Sequence, residues 1–420
     1  MKIVQSFWSK PAFHSIQNYA NARKFGGWLN FKYFLISAAY SCLTLKKHNK
    51  KVYLYTDAQG LELMDNLLQL PFEDISTSLD QLDNEDHRLW IRGKMHVIEQ
   101  QQEPFIHVDN DIYIWEKLPS PPTFIVQSRF PIWGEYRLSL NEIFANFDYI
   151  PECLQERPTD KTMVANVGLI GGHDIDFFQK FCETSRNLLE RNRQHLPSVT
   201  IGGFNQMMEE YLFTSMLRHE KKDVFYLLES LNTTFPVSHI NFALVPAVYK
   251  YIHLIGSHKQ SAYACEQLEL RLKYDFPENY SRVLEVLEAL GVEDTDIRPD
   301  DVRRIRLLKA LHVFSTCDLD TIRKMKIIIK PGADILKMDD YLTSNVRYAV
   351  RESDYPSLFH LPIEATNGIS RWLDDPSARL HKPFTINELT ADYNLQPVAD
   401  VALVNAVAFN LLHTGLMEFI

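Results

Sequence analysis

FIHVDNDIYIW, running from Phe105 to Trp115, is the stretch whose reading decides this chain. A short apolar run ends in two carboxylates, Asp109 and Asp111, separated by Asn110 and followed at once by a second apolar run. A carboxylate beside a buried strand is costly unless it is solvated, paired or bound to a cation. The elements around the stretch bear on that choice. A helical pattern over Leu89–Gln101 precedes PFIHV, which reads as a strand with the acid pair at its carboxyl end.

Working outward, MKIVQSFW, KKVYLYTD and PFEDIST read as strands on the amino side. TFIVQS, VANVGLIGG, VFYLL and YIHLIG read as strands on the carboxyl side. Between them lie helical patterns in NFKYFLISAAYSCLTLKKH, GLELMDNLLQL, DIDFFQKFCETSRNLLERNRQ and NQMMEEYLFTSMLRHEK, with another near Ser261–Leu290. Strands alternating with helices of this length predict an α/β fold: a Rossmann-like, mostly parallel sheet flanked by helices. Ligands of such sheets bind at the carboxyl ends of the strands, where Asp57 and the Asp109/Asp111 pair fall.

The chain has 420 residues, enough for more than one core, and is 45% hydrophobic and 12% aromatic, as a packed globular protein is. A formal charge of −10 argues against a general nucleic-acid binder, which needs a cationic footprint. The five cysteines are scattered with no CxxC pair, pointing to a reducing compartment and no zinc site. No apolar run reaches the roughly 20 residues of a membrane helix, and MKIVQSFW reads as a strand rather than a leader. The expectation is a cytoplasmic protein without an integral membrane segment.

Two Asp residues two apart on a turn leaving a strand can face one point in a cleft, and oxygen-rich pairs suit Mg²⁺ or Mn²⁺ against phosphate oxygens. Alone, D-x-D is common by chance. YIHLIGSHK adds a second motif, in which His253 can ligate through neutral imidazole, Gly256 permits close backbone approach to a phosphate and Lys259 supplies a charge. The plainer alternatives are a hydrogen-bonded core histidine and a solvated lysine.

D-x-D followed by H-x-x-G-x-x-K late in the same domain resembles the retaining, metal-dependent GT-A glycosyltransferases of the glycogenin and bacterial lipopolysaccharide galactosyltransferase type. The resemblance covers roughly Met1–Leu270 and rests on pattern and order. It implies a nucleotide-sugar donor, a UDP-sugar, whose diphosphate is bridged by Mn²⁺ or Mg²⁺. It implies Asp109, Asp111 and His253 as metal ligands, with Asp109 also at the ribose, and Gly256 and Lys259 on the diphosphate. Arg92 and Lys94 in LWIRGKMHV match the place of a basic residue against the donor, with Lys94 preferred. Asn166 in ANVGLIGG and Gln206 in FNQMMEE match positions near the sugar. Asn205 stands where the family has an Asp, which leaves the sugar and the stereochemical course open. A neighbouring acid, Glu209 or Glu210, could compensate, although acids on a helix surface are usually solvated. Tyr19 and Asp57 are candidates to stack on and hydrogen-bond a uridine.

By this reading residues 1–270 form the GT-A catalytic domain, 271–375 a mainly helical accessory region and 376–420 a small terminal unit, with GVEDTDIRPDD a linker at the main boundary. Thr385-Ile-Asn-Glu388 has capping-box spacing, an apolar helix runs to about His413, and LMEFI reads as a closing strand. That order resembles a winged helix, but Asp400–Ile420 contains no Lys or Arg, so docking of a peptide or protein acceptor suits it better than DNA. A glycan is the other acceptor class.

Two competing functions remain. A phosphatase of the haloacid-dehalogenase kind also places D-x-D after a strand, but Ile112-Tyr113 departs from its pattern and the His253 motif has no role there. A non-catalytic scaffold that docks a partner is kept open by Asn205.

Overall fold

In a computed structural model of the chain, the described residues are 1–13, 24–120, 123–132, 134–159, 161–230, 242, 245–246, 249–260, 262–292, 312–313, 316–329, 334–337, 348–352, 355–358, 382–393 and 417–420. The chain divides into two compact units. One holds Met1–Phe235 with His253–Ser261 and Phe276–Asp294; the other holds Pro236–Ile252 with Ala262–Asp275 and Thr295–Ile420.

The strands of the first part of the chain are β1 (Lys2–Phe7), β2 (Val52–Thr56), β3 (Asp74–Ser76), β4 (Phe105–Val108), β5 (Ile112–Ile114), β6 (Phe124–Pro131), β7 (Met163–Gly172), β8 (Phe225–Tyr226) and β9 (Tyr251–His253). Seven of them form one sheet in the order β3-β2-β1-β4-β7-β6-β8. β3, β2, β1 and β4 run parallel, β7 is antiparallel to both its neighbours, and β8 is parallel to β6. The α/β expectation therefore holds in its coarse form, a mostly parallel sheet flanked by helices. All four residues of β4 are buried, as befits a central strand covered on both faces.

Helix Phe31–Asn49 starts where Asn30 Oδ1 accepts the Tyr33 N–H at 3.2 Å and ends with Lys46, Lys47 and His48, which complement the helix dipole. Helix Ile175–Arg191 is capped by Asp174, whose Oδ1 accepts the Phe177 N–H at 3.1 Å. Its inner face packs phenylalanines on the sheet. Phe105 meets Phe178 at 4.9 Å between ring centroids, Phe124 meets Phe177 at 4.8 Å, and Phe178 stacks on Phe213. Burial of each such ring contributes on the order of 2–3 kcal/mol by transfer free energy.

Elements of this unit that were not anticipated include β5, the short helix Ser9–Phe13 and helix Gly134–Asn146. The apolar stretch near Ser261–Leu290 is two helices, Ala262–Asp275 and Pro277–Ala289. Pro277 removes an amide donor and suits the first turn of the second helix. Among the described residues no helix is long and apolar enough to cross a membrane.

In the second unit, Arg271 is buried on helix Ala262–Asp275, with Nε 3.0 Å from Asp275 Oδ2. β10 (Ile327–Ile329) bridges Phe384, and β11 (Asp334–Lys337), β12 (Tyr348–Glu352) and β13 (Tyr355–Leu358) form an antiparallel meander. The described residues between 271 and 375 thus carry strands besides the helices Pro277–Ala289 and Leu319–Lys324; short polar alternations such as YAVRE hide a two-residue period. The capping box forms as read. Thr385 Oγ1 accepts the Glu388 N–H at 3.1 Å and Glu388 Oε2 accepts the Thr385 N–H at 2.7 Å, opening helix Ile386–Tyr393. The closing strand is β14 (Met417–Phe419), antiparallel to β10. The apolar helix expected before it lies outside the described residues.

Candidate metal centre

The acid pair sits on a turn made rigid from both sides. Beyond the last pair of β4 with β7, the Asp109 N–H still donates to Gly168 O at 2.9 Å, and the Ile112 N–H closes the turn on Asp109 O at 3.2 Å. Asn110 is the structural member of the D-N-D triplet, because its Nδ2 donates to Ser6 O at the end of β1 (2.8 Å). Helix Phe31–Asn49 braces the same turn. Ser37 Oγ donates to Asn110 O at 2.9 Å and Ser41 Oγ to Ile112 O at 2.7 Å. With the middle residue anchored, the Asp109 side chain faces Lys94 and that of Asp111 faces His253 and Lys259.

Asp111 brings in the second motif. Its carbonyl accepts the Leu254 N–H at 3.0 Å, which places His253 opposite the carboxylate. His253 Nε2 lies 3.2 Å from Asp111 Oδ1, and Lys259 Nζ lies 2.6 Å from Asp111 Oδ2. On its other side His253 Nδ1 lies 2.6 Å from Gln127 Oε1. With the Gln127 amide in this orientation, Nδ1 carries the proton and donates it, and the Nε2 lone pair faces Asp111. Two acceptors then confront each other, and the buried Asp111 Oδ1 has no hydrogen-bond partner. A cation between them removes that conflict. Asp109, Asp111 and His253 each offer a ligand atom within 4.8 Å of the others. Two carboxylate oxygens and one imidazole nitrogen fit Mn²⁺ or Mg²⁺, with positions left for water or phosphate.

Behind Asp109 lies a buried charge network. Lys94 Nζ contacts Asp109 Oδ1 at 3.0 Å, Val167 O at 2.7 Å and Glu209 Oε1, which engages all three ammonium protons. Burial alone would lower the Lys94 pKa, but the Asp109 and Glu209 carboxylates reverse this and hold it above the ordinary lysine value. His107, wholly buried, is held well below its usual pKa by burial and then by Lys94, so it stays neutral with Nε2 2.8 Å from Ser6 Oγ. Burial would raise Asp111, yet the Lys259 ammonium pulls it well below the usual carboxylate range. Asp109 is raised, first by enclosure of its carboxyl and against the pull of Lys94.

The helix that supplies Glu209 begins as Ile201–Gln206, passes through a π-helical turn at Met207–Tyr211 and continues as Leu212–His219. Such a turn widens the inward face, and Met207, Met208, Glu209 and Tyr211 are all buried. Glu210 is held well above the usual carboxyl range, by burial and then by the charge of Glu209.

The structure therefore brings together Asp109, Asp111, His253, Lys259 and Lys94. Arg92 points elsewhere, 3.6 Å from Glu85. Asn166 is buried beside the site, its Oδ1 accepting the Gly168 N–H at 3.0 Å. Gly256 opens the Lys259 turn at φ +55°, a conformation that favours glycine. Gln206 is half-buried, its carbonyl accepting the Tyr136 hydroxyl at 3.0 Å. Asn205 is fully buried. Its amide donates to Arg88 O and Ile201 O (both 2.9 Å) and its Oδ1 accepts the Ile91 N–H at 3.3 Å, so it latches the approach to helix Ile91–Glu99. Asp57 is likewise engaged within the fold. Oδ2 accepts Ser9 N–H and Oγ–H (both 2.8 Å), and Oδ1 caps helix Ala58–Leu61 through Gly60 N–H at 2.8 Å. Tyr19 lies outside the described residues.

Gln127 and Gly168 are site residues that sequence reasoning missed. Gln127 falls at an irregularity in the β6–β7 register, between Val126 and Ser128, which a two-residue period does not foretell. Gly168 allows His253 to approach, since a Cβ there would lie 2.4 Å from His253 Cε1.

Fold and site together define an α/β protein with a candidate divalent-cation centre at the carboxyl end of a central strand. The chain belongs to a family of unknown function, DUF6734, whose model matches residues 1–286. No curated protein matches it. Among solved structures, mouse xyloside xylosyltransferase 1 in its apo form is similar over 54% of this chain and 84% of that one, at 10% identity and a TM-score of 0.28.

Proposed function

We propose that the protein is a glycosyltransferase that binds a UDP-sugar with Mn²⁺ and transfers the sugar with retention to a glycan, peptide or protein acceptor. The observation that carries this reading is the Asp111 Oδ1–His253 Nε2 confrontation, 3.2 Å apart with Asp109 and Lys259 alongside. A cation-ligand set next to a lysine suits a diphosphate better than it suits a solvated turn.

Asp109, Asp111 and His253 would hold the ion, which when bound supplies electrostatic stabilisation of the departing nucleoside diphosphate. Gln127 keeps the His253 proton on Nδ1 and the ligating lone pair on Nε2. Lys94, tied to Glu209 and Val167 O, fixes the orientation of Asp109 and keeps that carboxylate in place beside the donor site. Lys259 would turn to the diphosphate and neutralise charge there as the glycosidic bond breaks. Gln206 and Asn166 are the proposed groups near the sugar. The leaving phosphate can accept the proton of the acceptor, so the reaction does not require a separate strong base. Residues from 376 onward would grip the acceptor, and the five free cysteines accord with a cytoplasmic location.

The test is a calorimetric titration of UDP into the full chain, with and without Mn²⁺, repeated on Asp111→Asn. Manganese-dependent binding lost in the variant is the expected result. Silence towards UDP, GDP and CDP under both conditions would refute the donor site and favour a scaffold that docks a partner. Hydrolysis of the donor with Mn²⁺ separates catalysis from binding alone.

A further inference from the structure

We infer that His107 is a positioning residue for the candidate metal centre, whose Nδ1–H closes on Asp109 Oδ1 when a cation occupies the site and holds that carboxylate for the ion. This deepens the reading above and rests on its metal ligands. His107 lies on β4, two residues before Asp109, and is wholly buried. On one side of the ring, Nε2 lies 2.8 Å from Ser6 Oγ on the adjacent strand β1. Ser6 is fixed in turn, because its carbonyl accepts Asn110 Nδ2 at 2.8 Å. On the other side Nδ1 has no hydrogen-bond partner, and Asp109 Oδ1 stands 3.6 Å away.

A neutral imidazole has one ring proton to place. On Nε2 it would leave the Nδ1 lone pair facing a carboxylate. On Nδ1 it turns an N–H towards that carboxylate and lets the Ser6 hydroxyl donate to Nε2. The second arrangement suits both ring nitrogens, yet 3.6 Å is too long for a hydrogen bond. A buried N–H without an acceptor is costly, and an approach of roughly half an ångström by the carboxylate removes the cost. Oδ1 is held instead by the Lys94 ammonium at 3.0 Å. A cation on Asp109 repels that ammonium, which keeps acceptors of its own in Val167 O and Glu209. The imidazole brings no charge to oppose the ion. The Asp109 oxygen therefore passes from Lys94 towards His107 as the ion binds, and a neutral donor then orients the ligand.

The experiment follows the ring first and the ion second. The full chain is labelled with ¹⁵N-histidine, His107 is assigned by the signals lost in His107→Gln, and Mg²⁺ is titrated to saturation. The ring proton is expected on Nδ1 throughout, its signal moving downfield as Mg²⁺ binds. A proton on Nε2, or an Nδ1–H signal that saturating Mg²⁺ leaves in place, would overturn the inference in the unmutated chain. Electron spin resonance of free Mn²⁺ then compares wild type, His107→Gln and His107→Asn. An Asn amide nitrogen falls near the place of Nδ1 and a Gln amide near that of Nε2, while both variants lose the ring. His107→Gln is expected to lose about tenfold or more in Mn²⁺ affinity, and His107→Asn to stay close to wild type. Equal affinities of the two variants would show a packing role alone and overturn the inference, leaving the metal site standing. No Mn²⁺ binding by wild type, with or without UDP, would overturn the metal-site reading and the inference with it.

Discussion

Gly168→Ala probes the site through a residue that touches no substrate. Gly168 lies on β7, its carbonyl accepting the Asp109 N–H at 2.9 Å and its N–H donating to Asn166. An added Cβ would sit 2.4 Å from His253 Cε1, 2.9 Å from Nδ1 and 3.0 Å from Gln127 Oε1. Carbon atoms rest about 3.5–4.0 Å apart, so His253 must retreat by roughly 1 Å. That movement breaks the 2.6 Å contact with Gln127 and carries Nε2 away from Asp111. Overpacking of this kind costs about 1–3 kcal/mol, which in a domain of this size lowers Tm by several degrees. Loss of the group that orients a metal-binding histidine typically costs about 10–100-fold in metal affinity. The assay pairs a thermal melt with a titration of Mn²⁺ in the presence of UDP. Gly202→Ala is the control, since nothing lies within 4 Å of a Cβ there. Retention of wild-type melting and wild-type Mn²⁺ affinity by Gly168→Ala would refute the contact and the role given to His253.

Two further outcomes follow from the network behind Asp109. Glu209→Gln removes one of the two carboxylates on the buried Lys94 ammonium; we expect a loss of about 1.5–3 kcal/mol in urea unfolding, and a change below about 0.5 kcal/mol would show the pair to be incidental. Glu210, raised by burial and then by Glu209, keeps a proton in the folded chain that the unfolded chain releases above about pH 4.3. Its contribution is complete below that pH and is lost as pH rises towards the folded pKa, at up to about 1.4 kcal/mol per pH unit. Glu210→Gln should therefore gain Tm over wild type progressively from pH 5 to pH 8, and an equal difference at both pH values would count against the buried acid.

Much of the fold was legible because its elements carry their own periods. KIVQSF, VYLYT and FIHV are bounded by polar residues and reappear as β1, β2 and β4, and Thr385 with Glu388 declared a helix start that the hydrogen bonds bear out. Helix Gly134–Asn146 was not, since GEYRLSLNEIFAN mixes polar and apolar residues without an obvious stripe. The strands β11, β12 and β13 were not legible either, since they are short and depend on one another for pairing.

At the site, the same division falls between local and distant causes. Asp109 and Asp111 could be read because they stand just beyond an apolar strand, and His253 and Lys259 because an apolar strand ending in His253 leads into the G-x-x-K spacing. Gln127, Gly168 and Glu209 owe their places to register. A slip between Val126 and Ser128 brings Gln127 to His253, and only a glycine leaves room for that ring. Glu209 looked like a surface acid because MMEEY offers two adjacent carboxylates and an α-helix has one inward stripe. The π turn alters that count, burying four of its five residues and delivering one carboxylate to Lys94. Asn205, one turn earlier, is used up holding the backbone at Arg88, Ile91 and Ile201. The residue of this helix that acts on Asp109 is therefore Glu209, through Lys94, and not the residue at position 205.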